Sequence, residues 1–144
     1  MPVAVFRIEM ANCWDDGAVF TLEGDGSRES RAALMDSLVP MARNPGTHWL
    51  ILDCRGLESI GSHSLGAIIL SHLLLKAKKG GVAWVRPTPF VKGLLRRTGV
   101  DRLMPVMETV DEARLWFRLN GPQRTPKGFA GSVLEGTPSL NPSE

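Results

Sequence analysis

Several things are scarce in this chain of 144 residues. Neither sign of charge dominates, since 17 Lys and Arg stand against 15 Asp and Glu for a net charge of +2. A field able to hold nucleic acid or an acidic membrane must then come from clustered residues, because the total supplies none. Cysteine is nearly absent: Cys13 and Cys54 stand alone, outside any CxxC spacing and far from a His pair. That points away from a disulfide scaffold or a local zinc site and suits free thiols in a reducing compartment. The longest apolar run, Leu65 to Leu75, is broken by Ser71 and His72, well short of the ~20 residues that cross a bilayer. No basic head, apolar stretch and small-residue cleavage site opens the sequence. The expectation is a cytoplasmic protein without membrane insertion. Internal repeats are also lacking.

What is present is the composition of a soluble globule, 43% hydrophobic and 22% charged, in contrast to the apolar-poor, highly charged disordered class. A single domain of this length buries roughly two thirds of its unfolded surface. Val3 to Met10 and Ala18 to Leu22 read as a hairpin around the turn signal Asp15-Asp16-Gly17. Leu34, Leu38 and Met41 mark an amphipathic helix over Arg28 to Ala42, with Ser27 as a good N-cap residue. Asn44-Pro45-Gly46 stops it. Trp49-Leu50-Ile51-Leu52 is a continuous apolar strand of the kind covered on both faces, closed by Asp53.

Leu57 to Ser64 reads as a loop leading to an apolar helix, Leu65 to Lys79, which ends at Gly80-Gly81 after lysines that suit its negative end. Val82 to Val85 is a short buried strand. Pro87 to Thr98 carries Phe90, Val91, Leu94 and Leu95 on one helical face before Gly99. A brief strand at Met104 to Met107 and a helix from Val110 to Leu119 complete an α/β order ββαβαβαβα. Such alternation with short connections favours a mainly parallel or mixed sheet of about five strands with about four helices against it. Residues 1–119 form the expected domain. Residues 120–144, rich in Pro, Gly and Ser, read as a disordered tail, with a short docking motif around Phe129, Val133 and Leu134 as the functional alternative.

One stretch is more specific. Leu50-Ile51-Leu52-Asp53-Cys54-Arg55-Gly56-Leu57-Glu58-Ser59-Ile60-Gly61-Ser62-His63-Ser64-Leu65-Gly66 resembles the centre of the STAS domain family of the anti-sigma factor antagonist type. There, an apolar strand, an Asp and a short loop lead to Asp-Ser-Ser-Gly-Leu-Gly opening a helix. Leu22-Glu23-Gly24, Gly80-Gly81 and the run Leu95-Arg96-Arg97-Thr98-Gly99-Val100-Asp101-Arg102-Leu103 fall at further expected places, and Glu112-Ala113 lies in the last helix. The ordered set over residues 5 to 119 carries the resemblance, since each motif alone is weak.

The resemblance implies a STAS-like fold and a non-catalytic, partner-binding regulator whose partner is an anti-sigma factor that is also a serine kinase. It places the phosphoacceptor at Ser62 and the partner-binding face in two loops, Gly24, Asp25, Gly26 and Ser27 with Ser59, Ile60, Gly61, His63 and Ser64. Two positions depart from the family: Gly61 stands for the Asp before the phosphoacceptor with Ser64 for a Gly, and Ser27 stands for the Asp that opens the first helix. A constitutive STAS structural subunit of a transporter or other regulatory complex, not phosphorylated, is the alternative. No cofactor and no metal are implied.

Plainer readings stand beside these. Ser62 at the N-cap of the apolar helix stabilises it by about 1 kcal/mol with no further role. The same position, beside free N–H groups and the positive helix end, also suits a phosphate. Ser59 and Ser64 are loop or first-turn hydroxyls, or secondary modification sites. A Ser62–His63 hydrolase is disfavoured because neighbouring helical residues point about 100° apart and no Gly-x-Ser-x-Gly elbow exists. His48, His63 and His72 lack metal-ligand spacing. Lys76, Lys78, Lys79, Lys92, Arg96, Arg97 and Arg102 read as a solvated helix end and face, so no nucleic-acid partner is expected. The apolar residues from Leu65 to Leu75 circle nearly the whole helix, which implies burial between layers or an outward stripe that a partner covers.

Overall fold

The computed structural model describes residues 5–27 and 29–120. Its elements run β1 (Arg7–Trp14), β2 (Gly17–Gly26), α1 (Arg31–Arg43), β3 (Trp49–Ile60), α2 (Ser62–Lys76), β4 (Gly81–Val85), α3 (Pro89–Thr98), α4 (Val100–Leu103), β5 (Val106–Met107) and α5 (Val110–Asn120). They form one mixed sheet in the order β1-β2-β3-β4-β5. β1 and β2 are the antiparallel hairpin, and the remaining pairings are parallel. The α/β order expected from the sequence holds, with α4 as an added single turn. The tail assigned to residues 120–144 lies, from residue 121, outside the described residues.

Period-2 alternation divides the sheet's side chains between two cores. Ala18, Phe20, Leu22, Leu50, Leu52, Val82 and Trp84 face α1 to α4, against Leu34 and Leu38 of α1, Ile68 and Leu75 of α2, Val91 and Leu95 of α3 and Val100 of α4. Val19, Ile51, Ala83 and Val85 point the other way, where α5 covers them with Ala113 and Phe117. On that second face the Trp49 ring stacks on Phe117 at 6.0 Å and meets Trp14 at 5.5 Å. Such pairs add about 0.5–1.5 kcal/mol beyond burial. Trp49 can lie there because its strand neighbour is Gly17, where a Cβ would fall inside the indole.

Helix ends explain several boundaries. Thr88 caps α3, accepting the Val91 N–H at 3.4 Å and donating to the Leu57 carbonyl at 3.1 Å, while Pro89 supplies the preset first turn. At α5, Thr109 and Glu112 form a reciprocal capping box: the Thr109 hydroxyl accepts the Glu112 N–H, and the Glu112 carboxylate accepts the Thr109 N–H. The end of α1 is closed from a distance. Lys78 donates to the Ala42 and Asn44 carbonyls at 2.8 and 2.6 Å, holding a cation at the negative helix end.

Two boundaries differ from the sequence expectation in ways that matter for the site. β3 does not close at Asp53 but continues to Ile60, so Leu57 to Ile60 is strand and not loop. Helix α1 begins at Arg31, not Arg28, with Ser30 and not Ser27 at the N-cap position. Both follow from β2, which extends to Gly26 and carries the ladder with β3 beyond Leu22.

Candidate functional site

The ladder between β2 and β3 builds the site. Thr21 pairs with Asp53 and Glu23 with Gly56, then Gly24 with Leu57 and Asp25 with Ser59, so β3 takes one extra residue at each of two register shifts. Bulges bend a strand and re-aim its side chains. Here they bring the ends of both strands to one edge, with Gly26 opposite Ile60. The Gly61 N–H continues the pairing, donating to the Gly26 carbonyl at 2.8 Å. The approach is close enough that a Cβ on Gly61 would lie 2.7 Å from the Ser27 carbonyl oxygen. Gly61 is therefore required by contact between two main chains, and its own backbone is extended (φ −93, ψ 167).

Side chains lock the junction. The Asp25 carboxylate accepts the Ser59 hydroxyl and, at 2.9 Å, the Ser27 N–H. Beneath them, Ser30 donates to the Gly26 carbonyl at 2.8 Å and its oxygen touches the Ser64 hydroxyl. A hydroxyl has one proton, so with Ser30 donating to Gly26, Ser64 must donate to Ser30. This buried relay ties the first turn of α2 to the entry of α1 and the end of β2. Ser30 was not legible as a site residue; its only signal is a second serine, three residues after Ser27 and just before the helix.

Ser62 is the first residue of α2 and is exposed, while the N-cap position belongs to Gly61, with no side-chain cap. The N-cap role read for Ser62 is thus corrected by one residue. The first turn of α2 also contains no acidic residue, so its N–H groups and positive end are uncompensated by any carboxylate of that turn. His63 and Ser27 are exposed, and Asp25, Ser59 and Gly61 are half-buried. Gly24, Gly26, Ile60 and Ser64 are buried and underlie the surface.

Helix α2 splits its apolar residues between two sides. Leu65, Ala67, Ile68 and Leu75 enter the core with Ser71 and His72. Gly66, Ile69, Leu70 and Leu73 continue the line of Ser62 outward at helical spacing, Leu73 being 53% exposed. Burial and an outward stripe, alternatives in the sequence, are both realised. Of the two thiols, Cys13 is exposed and Cys54 buried; burial, with Asp53 adjacent, pushes the Cys54 thiol far above its ordinary range, which leaves it an inert core residue. Among the described residues no three His, Cys, Asp or Glu side chains converge as a metal site, and no helix is long and apolar enough to cross a membrane.

The family profile described as Mlab, STAS domain, matches residues 13–107. An anti-sigma factor antagonist from Mycobacterium paratuberculosis superposes with a TM-score of 0.64 at 22% identity, over 79% of this chain and 93% of that one. The unphosphorylated form of the anti-sigma factor antagonist SpoIIAA gives 0.61 at 20% identity, over 83% of this chain and 100% of that one. The phosphorylated form of the Bacillus cell fate determinant SpoIIAA gives 0.61 at 18% identity, over 79% and 100%. At these identities the likeness establishes a shared fold. No curated protein sequence matches at a significant level.

Proposed function

Because the chain belongs to the STAS domain family, we propose that it is a non-catalytic regulator that docks onto a protein partner in the cytoplasm through the face where β2, β3 and α2 meet. Its partner is an anti-sigma factor with serine kinase activity, and phosphate on Ser62 releases it. The observation that carries this reading is the exposed Ser62 hydroxyl at the positive end of α2, set between the Ser27 turn and the outward stripe Gly66, Ile69, Leu70 and Leu73. A phosphate there adds about −1.5 to −2 charge. That charge must be desolvated when a partner covers the apolar stripe, so binding is lost. SpoIIAA, which shares the fold, exists in both a phosphorylated and an unphosphorylated form.

A second reading is favoured by one observation. Gly61, standing where the family has Asp, lies so close to the Ser27 backbone that any side chain there would force the main chain to move. This suits a constitutive subunit of a transporter or other complex, docked by the same face and never phosphorylated. Incubation with anti-sigma kinases and ATP, followed by mass spectrometry, separates the two. Label at Ser62, lost in Ser62→Ala, supports the switch; a chain that captures its partner equally well as Ser62→Asp and takes no label supports the subunit.

A further inference from the structure

At the opposite edge of the sheet from β1, a groove of about 450 Å³ runs between β5 and α5. Its floor and wall are Met107, Leu115, Trp116 and Leu119, and its far end carries Glu108 and Glu112. The wall is unusually bare: Leu115 is 51% and Leu119 66% exposed. This contrasts with the other side of the same helix, where Ala113 and Phe117 are buried. α5 therefore has two apolar sides, and the sheet covers only one. None of its lining residues belongs to β2, β3 or α2, the elements of the docking face.

We infer that the groove is the docking site of this chain's own segment 124–134, which follows α5 in sequence. Three observations select that occupant. The described chain ends at Asn120, one residue past the lining residue Leu119, and Gly121-Pro122, residue types that do not continue a helix, comes next in the sequence. Reach is ample: Phe129 can lie up to about 30 Å from Asn120 at full extension, while Leu119 and Glu112 are separated by only about 10 Å of helix. The segment is also complementary in kind. Arg124 and Lys127 offer two cations with no acidic residue before Glu135, and Phe129, Val133 and Leu134 offer the apolar side chains. The groove offers two carboxylates and an apolar wall. Tethering through a short linker gives an effective concentration on the order of millimolar, so even weak complementarity fills the groove.

Trp116 reports occupancy. In the full-length chain labelled with ¹⁵N, each of the four tryptophans gives one indole cross-peak, and Trp116→Phe assigns that of Trp116. The triple variant Phe129→Ser, Val133→Ser, Leu134→Ser is expected to shift the Trp116 cross-peak while leaving that of Trp84, buried on the other face, in place. Glu108→Lys, which keeps the capping carboxylate of Glu112, is expected to shift it in the same direction. Identical Trp116 positions in parent and triple variant overturn the inference. So does a Trp116 shift that follows protein concentration in both proteins alike, with light scattering showing a dimer, because the occupant is then a second copy.

Discussion

The imidazole of His72 accepts the Val82 main-chain N–H at its Nδ1, 3.0 Å away, and this bond fastens α2 to the start of β4. An Nδ1 that accepts must be unprotonated, so the ring is the neutral tautomer with its proton on Nε2. That Nε2 is buried and has no partner among the described residues. Protonating the ring would set two donors against each other. Burial, and then the Lys76 charge one turn on, lower the His72 pKa from 6.5.

The sign of the resulting pH dependence follows. In the unfolded chain His72 takes up a proton below about pH 6.5, while the folded chain resists it. Stability from this residue is whole above pH 6.5 and declines as pH falls toward the lowered folded value, at up to about 1.4 kcal/mol per pH unit. Urea unfolding of His72→Gln between pH 5 and 7 is expected to show a flatter pH dependence than the parent. Equal slopes in the two proteins would remove His72 as the cause.

The Ser64, Ser30 and Gly26 relay makes unequal demands on its members. Ser30→Ala leaves the buried Ser64 hydroxyl without its acceptor and the Gly26 carbonyl with the Gly61 N–H alone, and is expected to cost about 1–3 kcal/mol. Ser64→Ala leaves the Ser30–Gly26 bond intact and should cost less. The double variant should cost less than the sum of the single ones, a non-additivity expected of residues in contact; chemical denaturation of the four proteins measures it.

Gly61→Ala forces a methyl to within 2.7 Å of the Ser27 carbonyl, a contact that only main-chain movement relieves. A loss of about 1–3 kcal/mol is expected, together with faster amide exchange at Gly61, whose N–H bonds Gly26. Parent-like exchange at Gly61 would show that the two segments are not held by this approach.

Ser62→Ala is expected to leave stability within about 0.5 kcal/mol of the parent, because the residue is exposed and the cap position is Gly61. A loss near 1 kcal/mol by thermal or urea unfolding would restore the capping role and weaken the case that its hydroxyl serves the surface.

Much of this architecture was legible in the chain. The buried strand from Trp49 and the Thr98-Gly99 stop follow from pattern and punctuation, whereas for α2 the pattern left burial and an outward stripe as alternatives. The length of β3 was not, for a definite reason: its two bulges set Cys54, Leu57 and Ile60 three residues apart, and all three are buried. A strand interrupted in this way has no period of two to detect. Ser30 stayed hidden because its partner Ser64 is distant in sequence, and nothing local distinguishes a hydroxyl that caps a helix from one that binds across the fold. The pairing of the Gly24–Ser27 and Ser59–Ser64 segments came from the family resemblance, and only the ladder supplies its physical cause.

Among the described residues, four helices lie against one side of the sheet and only α5 against the other, pinned by Ala113 and by the Phe117 ring lying flat on Trp49. The two halves of the molecule consequently differ in how readily they let go. Detaching α5 uncovers a small core and leaves the larger one closed, so this helix is the natural first unit of partial opening. Trp49, shielded only while that lid is shut, is where solvent would first be felt.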